Sequence, residues 1–544
     1  MAKLSSIFAK IPQYILPIVL CGWCAVLLAQ KIDLPTADLG RHIENGSIIL
    51  HGSWADKWQL LHTNFYSYTE PDHSFVNHHW LSGVVFYVIH QLAGFKGLSV
   101  VYIFVVTLAF LLFYSLAQKR AGSAIASILA VLVLPIIASR AEVRPEGFTY
   151  LMMALFFWLL WHWKEKADKS AHYIVLIFLP LLMLLWVNLH IGFIFGFLIF
   201  GAFWLQSIIK WKLTKNPGNF YFLSFVGALC VVAGLINPFF IKGLLYPLNI
   251  FREYGYRIVE NQSVMFLQKL GMGNGLYFGL FKILLGLAGL SFIARLIKER
   301  RKWKEFPYHE FLLLATAGFL ALLATRNFPI FGLLFLPIAA ANVKAILPEV
   351  EHEAYKILPA LIAIVVLIFG SFRFLESYQL KRSNFGVGLM PGVERAAEFF
   401  KAQKIKGPVF NNYDIGGYLI YELTRNTRGS TADADVHADR IVFTDNRPEA
   451  YSIGHFQKDY IPAQEDEVKW KELDAKYNFN AIFFSHRDLT PWGQAFLISK
   501  VQDEEWAPIF ADQYNIIFIK KNLENVELIR KYLIPKENFG IINN

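Results

Sequence analysis

A carboxylate, a guanidinium group and an imidazole ring lie close together in the segment Asp38-Leu39-Gly40-Arg41-His42. The segment follows an uncharged, largely apolar run from Pro12 to Ala29, which is long enough to cross a membrane. Charged side chains at the edge of a bilayer are unfavourable unless water solvates them or a function uses them. We interpret Asp38 as a candidate general base, because a positioned carboxylate can take the proton of an attacking hydroxyl group. The structural alternative is a solvated i, i+3 pair between Asp38 and Arg41.

A second polar motif, Asn77-His78-His79-Trp80, offers hydrogen-bond partners for a polar substrate. Adjacent residues of a helix point in different directions, and the spacing of these histidines matches no standard zinc pattern. We therefore predict no cofactor and no metal ligand. A divalent metal ion, bound with the help of the nearby Asp72 and His73, is the open alternative. A simple anchoring role for Trp80 at the membrane interface is the structural alternative.

Further polar residues stand at the predicted ends of apolar runs, on one side of the membrane. Arginine forms bidentate hydrogen bonds with phosphate, so arginines in these positions are candidate phosphate ligands. Ordinary snorkelling to the interface is the alternative. Tight corners need polar residues for their turns, so corner residues are weaker candidates. Together with Arg41, His42, Asn77, His78 and His79, the candidate binding residues are Arg140, Arg144, Glu146, Asn188, His190, Glu260 and Arg326.

The composition identifies a membrane protein. Of the 544 residues, 55% are hydrophobic and only 17% are charged, and the mean hydropathy is +0.39. A soluble domain carries more charge. Residues 1–374 contain 31 Lys and Arg against 18 Asp and Glu, whereas residues 375–544 contain 21 against 24. The positive excess therefore lies in the apolar part, where basic loops set the orientation in the membrane, and it does not indicate nucleic-acid binding.

The apolar runs predict eleven membrane-spanning helices and place the amino terminus in the cytoplasm. The run near 79–93 is too short to span, so we predict an interfacial helix there, after an outer loop over residues 30–78. Counted as a span, it would divide the basic clusters between both faces. The inner (cytoplasmic) membrane is the expected location. The predicted spans are 12–29, 98–117, 123–139, 147–163, 173–187, 190–209, 220–237, 275–297, 308–324, 328–345 and 355–374.

Residues 375–544 predict a soluble α/β domain on the extracytoplasmic side, after a polytopic α-helical membrane domain over residues 1–374. Alternating strand and helix patterns indicate a layered fold. The predicted strands are Val409–Asn411, Arg440–Thr444, Ala481–Ser485, Trp506–Ala511 and Tyr514–Lys520, and the predicted helices are Ile415–Leu423 and Val468–Tyr477.

The order of the motifs resembles the GT-C class of integral-membrane glycosyltransferases, and more closely a bacterial subgroup of GT-C-like proteins. Enzymes of this class carry an essential acid just after the first helix, interfacial helices in the first outer loop and often a soluble carboxyl-terminal domain. The chain departs from the subgroup at His79, where the subgroup has an acid. The matching segments are Asp38-Leu39-Gly40-Arg41-His42, Asn77-His78-His79-Trp80-Leu81, Arg144-Pro145, Trp186 with Asn188 and His190, Asn237-Pro238, Asp414 with Gly416-Gly417-Tyr418, and Asp445 with Arg447.

The resemblance implies transfer of a sugar from a polyprenyl-phosphate donor to a hydroxyl group of a glycan, lipid or protein acceptor, with inversion. Asp38 would be the base, and membrane lipids the only other partners, with no nucleic acid. Two alternatives stay open. One is a polysaccharide polymerase or ligase that relies on Arg252 and Arg257, and the other is a non-enzymatic transporter or envelope assembly factor. The implied binding roles are phosphate for Arg140, Arg144 or Arg326, and sugar positioning for His42, His78, Asn188 and His190.

Overall fold

A computed structural model describes residues 2–166, 168–249, 252–300, 306–347, 384–427 and 441–540. The α-helices in these ranges are numbered in chain order. They are α1 (Ala2–Leu28), α2 (Leu39–His51), α3 (Trp54–His62), α4 (Trp80–Ala121), α5 (Ser123–Ile137), α6 (Glu146–Lys166), α7 (Lys169–Leu189), α8 (Ile194–Thr214), α9 (Gly218–Leu235), α10 (Phe240–Leu245), α11 (Val264–Lys269), α12 (Gly275–Lys298), α13 (Tyr308–Leu323), α14 (Phe328–Ile346), α15 (Arg395–Ala402), α16 (Gly416–Thr427), α17 (Ile461–Glu465), α18 (Glu467–Tyr477), α19 (Pro491–Gln502) and α20 (Val526–Tyr532).

The chain divides into two compact units. The helical unit comprises Met1–Gln30, Ser99–Leu248 and Ile258–Val387. The sheet unit comprises Lys31–Leu98, Asn249–Arg257 and Gly388–Asn544. The first polar loop, with its Asp38 motif, therefore forms one body with the carboxyl-terminal residues. The domain boundary that the sequence predicts after residue 374 falls outside the described residues.

Long apolar helices build the helical unit, as expected for a polytopic membrane protein. Each predicted span from 12–29 to 328–345 falls on a helix or on most of one, and the span 355–374 lies outside the described residues. In the described ranges, six helical segments are long and apolar enough to cross a membrane. They are Trp80–Ala121, Lys169–Leu189, Ile191–Thr214, Gly218–Leu235, Gly275–Lys298 and Thr325–Ile346.

Helix α14 forms the centre of the helical unit. Its side chains are buried on nearly all sides from Phe328 to Ala340, which is the pattern of a helix that is apolar all round. Helix α5 packs directly against it. Gly332 permits this approach, because a methyl group there would lie 3.0 Å from side-chain carbons of both Val133 and Ile137.

Helix α4 is interrupted at Gly94, where φ is 60° and ψ is −162°. Glycine adopts such a backbone conformation without steric strain, so it breaks the helix into two parts. The first part coincides with the interfacial helix predicted for residues 79–93. The second part contains the predicted span 98–117. The break therefore falls between the short helix and the span that the sequence predicts.

In the part of the sheet unit that the structure describes, four strands form one sheet in the order β1-β2-β4-β3. Strand β1 runs parallel to β2, with Val409 opposite Ala481, while β4 is antiparallel to both β2 and β3. An aromatic core that includes Phe410, Trp470 and Phe484 packs against the sheet. The strands are β1 (Val409–Asn411), β2 (Ala481–Ser485), β3 (Trp506–Ala511) and β4 (Asn515–Lys520).

One predicted strand, Arg440–Thr444, is wrong. Arg440 lies outside the described residues, and Val442 forms only an isolated bridge with Ser67. The Ile441 amide donates to the Tyr66 carbonyl over 3.0 Å. The backbone of the segment therefore pairs with the first polar loop, more than 370 residues earlier in the chain. Its hydrogen bonds to β1 involve only the side chain of Asn411. The alternating pattern carried no information about the partner of this segment.

Candidate functional site

Asp38 lies at the amino end of α2, in the sheet unit. It occupies the N-cap position, yet its side chain makes no capping hydrogen bond with the helix. An aspartate in this position commonly accepts a hydrogen bond from the first turn. Here a carboxylate oxygen lies 3.9 Å from Nη2 of Arg41, and the Asp38 side chain is 22% exposed while that of Arg41 is 5% exposed. A buried cation therefore holds a carboxylate that is still accessible to solvent.

Two pairs of glycines fix the position of α2. A methyl group on Gly40 would lie 2.7 Å from the carbonyl oxygen of Gly417, and one on Gly46 would lie 2.1 Å from that of Gly83. Both distances are shorter than real side chains allow, so these backbones approach closely only because glycine has no side chain. Helix α2 is thereby held between α16 and the first part of α4. Asp38 takes its position from both neighbours.

The predicted histidines gather at α2, with their rings in edge-to-face and tilted contacts. His42 meets the edge of the His79 ring at a centroid distance of 5.4 Å, and His78 and His79 lie 3.9 Å apart. Both His42 and His78 are buried. Asn77 is also buried, and its side-chain amide donates to the Leu60 carbonyl over 3.4 Å. In the described ranges, no group of three His, Cys, Asp or Glu residues is arranged to hold a metal ion.

A buried ion pair stabilises the segment that follows α16. Arg447 donates from Nε to Oδ1 of Asp445 over 2.8 Å and from Nη2 to Oδ1 of Asn64, also over 2.8 Å. Burial disfavours the Asp445 carboxylate, but the Arg447 guanidinium outweighs this effect and holds the pKa of Asp445 below its usual range. The Arg447 guanidinium also lies 4.8 Å from the centre of the Phe75 ring. These contacts join the first polar loop to the carboxyl-terminal residues of the same unit.

Glu449 is a carboxyl group that the sequence analysis missed. It follows Arg447 by two residues, in the short turn Pro448–Ala450. Burial raises the pKa of Glu449, although Arg41 and Arg447 lie close enough to favour its charged form. Arg41 therefore interacts electrostatically with two carboxyl groups. Asp38 lies at the start of the same helix, and Glu449 lies in the carboxyl-terminal residues of the sheet unit. The motif around Arg447 was the signal that could have drawn attention to this residue.

The helical unit contains a second group of residues, which we call the arginine cluster. It comprises the predicted residues Arg140, Arg144, Arg326, Glu146 and Glu260, together with Glu142, which the sequence did not single out. Arg140 donates from Nε to Oε1 of Glu146 over 2.7 Å and from Nη1 to Oε2 of Glu260. Arg144 donates to Glu142 over 2.6 Å and to Glu260 over 3.3 Å. Arg326 lies 3.7 Å from Glu146. Residues far apart in the sequence thus form one network.

The mutual interactions of the arginine cluster favour the charged forms of its side chains. Burial disfavours the Glu260 carboxylate, but the three arginines around it hold its pKa well below the usual range of glutamate. Burial also disfavours the charge of Arg140, yet Glu146 and Glu260 outweigh burial and raise the pKa of Arg140 above its usual value. Three positive and three negative side chains meet here. Such a cluster can exchange one anion for another without a change in net charge.

Asn188 and His190 stabilise the corner after α7. The Asn188 amide donates to the carbonyl oxygens of Leu184 and Ile236, each over 2.9 Å. Nδ1 of His190 accepts a hydrogen bond from the Gly192 amide over 3.0 Å and lies 2.7 Å from the Thr149 hydroxyl. Both side chains are buried and make these contacts within the helical unit. Their predicted role in binding sugars stays a prediction.

No protein-family model matches the sequence, and no curated protein sequence matches it. Among solved structures, the chain is similar to the archaeal oligosaccharyltransferase AglB from Archaeoglobus fulgidus in complex with an inhibitory peptide and a dolichol-phosphate. The TM-score is 0.59 at 11% identity, over 92% of this chain and 73% of that chain. The oligosaccharyltransferase of the same organism, tethered to an acceptor peptide with the NVT sequon, gives a TM-score of 0.54 at 12% identity, over 93% and 74%. The shared fold confirms the predicted architecture of a polytopic membrane protein with a soluble domain.

Proposed function

We propose that the chain is a membrane glycosyltransferase that moves a sugar from a polyprenyl-phosphate donor to an acceptor hydroxyl group on the extracytoplasmic face. The observation that carries this proposal is the Asp38 carboxylate, which is accessible to solvent and held by the buried Arg41. Two further observations support it. The fold is that of an oligosaccharyltransferase whose solved structure contains a dolichol-phosphate, and the arginine cluster has the chemistry of an anion site.

In the proposed reaction, Asp38 accepts the proton of the acceptor hydroxyl group. The hydroxyl oxygen attacks the anomeric carbon of the sugar, and the bond from that carbon to the phosphate oxygen breaks. The phosphate leaves with the bonding electrons, so polyprenyl phosphate is the second product. A single displacement inverts the anomeric configuration. A general base of this kind contributes about 10²- to 10⁴-fold to the rate.

Arginines suit the phosphate in this reaction because the leaving group gains negative charge as the bond breaks. Guanidinium groups present several fixed donors and stabilise such charge strongly in a site shielded from water. We assign Arg140 and Arg144 to this role, with Arg326 as a third donor. Glu146 keeps Arg140 oriented through the bond between Oε1 and Nε. We assign a different role to His42, His78 and His79, which position sugar hydroxyl groups by hydrogen bonds.

The test is Asp38→Asn in purified protein reconstituted into liposomes. The donors are a set of polyprenyl-phosphate sugars, the acceptors are membrane extracts, and release of polyprenyl phosphate is measured. We expect a loss of at least about 10²-fold, since asparagine cannot take the proton. Asp33→Asn is the matched control, because Asp33 is a neighbouring carboxylate whose partner is Arg487. An unchanged rate for Asp38→Asn in a folded protein would reject the assignment.

A further inference from the structure

Each arginine of the arginine cluster contacts a carboxylate of its own chain. Glu260 interacts with both Arg140 and Arg144, so it holds the two arginines that we assign to the donor phosphate. A phosphate could not reach both guanidinium groups while Glu260 stays between them. Binding of a donor in this place therefore requires that one carboxylate move.

Of the two carboxylates that contact Arg140, Glu260 is the better placed to move. Glu146 belongs to the first turn of α6, and its side chain is only 7% exposed. Glu260 lies instead in the short turn Val259–Asn261, and its side chain is 22% exposed. Rotation of one side chain can remove it from the arginines without disturbing a helix. The turn itself stays anchored, because Arg326 donates to the side-chain oxygen of Asn261 over 2.9 Å.

Two hydrogen-bond donors at the arginine cluster are buried without an acceptor in the described part of the chain. They are Nη2 of Arg140 and the hydroxyl group of Tyr150. Tyr150 is 1% exposed and experiences the charges of Glu146, Arg140 and Arg326. A buried donor without an acceptor is unfavourable, which makes it rare unless a ligand or a water molecule completes the site. These two groups are suited to an additional anionic oxygen.

We propose that Glu260 is a resident counter-anion, which occupies the phosphate position between Arg140 and Arg144 until the donor displaces it. The inference rests on the proposed function and adds to it the control of that site. A sugar phosphodiester carries one negative charge, so its exchange for Glu260 leaves the charge of the cluster unchanged. Tyr150 and Nη2 of Arg140 supply the two donors that Glu260 does not use. When Glu260 returns, it competes with the phosphate product and promotes its release.

The experiment measures binding of farnesyl phosphate, a short isoprenoid phosphate, to the full chain in detergent, with farnesol as the uncharged reference. We expect Glu260→Gln to bind farnesyl phosphate at least about five-fold more tightly than wild type, since the competing charge is gone. Binding of farnesol should not change. Glu142→Gln is the matched control, because it removes one negative charge from the same cluster at a residue that pairs with Arg144.

The outcomes separate the two proposals. Equal tightening by Glu260→Gln and Glu142→Gln, or no tightening by Glu260→Gln, overturns the counter-anion proposal. If the Glu260→Gln prediction fails but Arg140→Ala and Arg144→Ala bind farnesyl phosphate more weakly than wild type, the arginines keep their proposed phosphate role. If both arginine variants bind farnesyl phosphate as wild type does, the phosphate role and the counter-anion proposal are both overturned.

Tyr150→Phe provides a second variant that does not depend on the stability of Glu260→Gln. The hydroxyl group has no hydrogen-bond partner in the described residues, so its removal should leave the thermal midpoint unchanged. We expect farnesyl phosphate to bind about ten-fold more weakly, as for the loss of a hydrogen bond to a charged group. A lower thermal midpoint with unchanged binding would assign Tyr150 a purely structural role and contradict the proposed anion site.

Discussion

Gly40 faces Gly417 so closely that a methyl group on Gly40 would lie 2.7 Å from the Gly417 carbonyl oxygen and 2.8 Å from Cβ of Tyr421. Gly40 is two residues from Asp38 and one from Arg41. The contact that packs α2 on α16 therefore lies directly beside the Asp38 carboxylate in the chain. The carboxyl-terminal part of the sheet unit thus contributes to the site through its backbone.

Gly40→Ala should damage transfer even though it leaves every candidate catalytic side chain in place. The added methyl group meets backbone on one side, so α2 must shift, at a cost of about 1–3 kcal/mol. A shift of this kind misplaces a catalytic group, and we expect a loss of about 10²-fold in transfer rate with a lower thermal midpoint. The measurements are the release of polyprenyl phosphate and thermal unfolding in detergent.

Gly201→Ala is the control for that substitution. Gly201 lies within α8, and a methyl group there would meet no atom within 4 Å. Alanine favours a helix over glycine, so this variant should be as stable as wild type or slightly more stable, with normal transfer. Full activity of Gly40→Ala would show that the contact between α2 and α16 does not set the geometry of Asp38.

The helical architecture was predictable because each span carries its own signal. An apolar run of sufficient length must become a helix in a membrane, whatever its neighbours are. The break at Gly94 separates two helices that the lengths of the apolar runs already distinguished. The strands Val409–Asn411 and Ala481–Ser485 were also predicted with correct bounds, because their residues are apolar and flanked by turns.

The partners of the polar residues could not be predicted in the same way. Arg140 and Glu260 are 120 residues apart, and nothing in either local pattern indicates that they pair. Val442 pairs with the first polar loop, and Glu449 lies near Arg41 only because the sheet unit brings distant segments together. Residue types identified the candidates, but only the tertiary structure shows which charges neutralise each other.

Arg447→Met should strongly destabilise the sheet unit. The substitution removes the guanidinium group and leaves Asp445 as a buried carboxylate, since neither side chain is more than 2% exposed. Breaking a buried pair on one side costs about 3–5 kcal/mol. The double variant with Asp445→Asn removes both charges and should recover part of that loss. Thermal unfolding in detergent measures both effects.

The control for Arg447 is Lys476→Met, which breaks the ion pair with Asp459. Both partners are largely solvated there, with side chains 57% and 35% exposed. Exposed pairs contribute little, so we expect no measurable change in the thermal midpoint. If Arg447→Met proves as mild as Lys476→Met, the buried pair does not stabilise the junction of the first polar loop with the carboxyl-terminal residues.

Stability should fall as the pH decreases from 6.5 to about 4, because of His455. Burial lowers the pKa of His455 to about 4, although Glu70, Asp459 and Asp445 favour its charged form and Lys476 opposes it. The unfolded state, with a pKa of about 6.5, takes up the proton first, so stability is complete above pH 6.5 and is lost on acidification. The full effect is about 3 kcal/mol at 1.36 kcal/mol for each pKa unit.

His455→Phe removes that proton uptake while keeping an aromatic ring against Tyr451, whose ring centre lies 4.5 Å away. The thermal midpoint of this variant should change less with pH between 6.5 and 4 than that of wild type. His51→Phe is the control, since His51 is exposed and should leave the pH dependence as it is. An equally steep pH dependence in His455→Phe would mean that another group titrates in this range.

Substitution of Arg252 and Arg257 distinguishes the transferase from a polysaccharide polymerase or ligase. Both arginines are exposed, in the segment Asn249–Arg257 of the sheet unit. In the proposed transferase they take no part in proton transfer, and exposed charges are screened by salt. Arg252→Ala with Arg257→Ala should therefore keep polyprenyl phosphate release within about two-fold of wild type at physiological ionic strength. The polymerase or ligase makes the opposite prediction: loss of product in the double variant, with Asp38→Asn tolerated. Because each hypothesis assigns the essential charge to a different segment, assays of these two variants side by side decide between them.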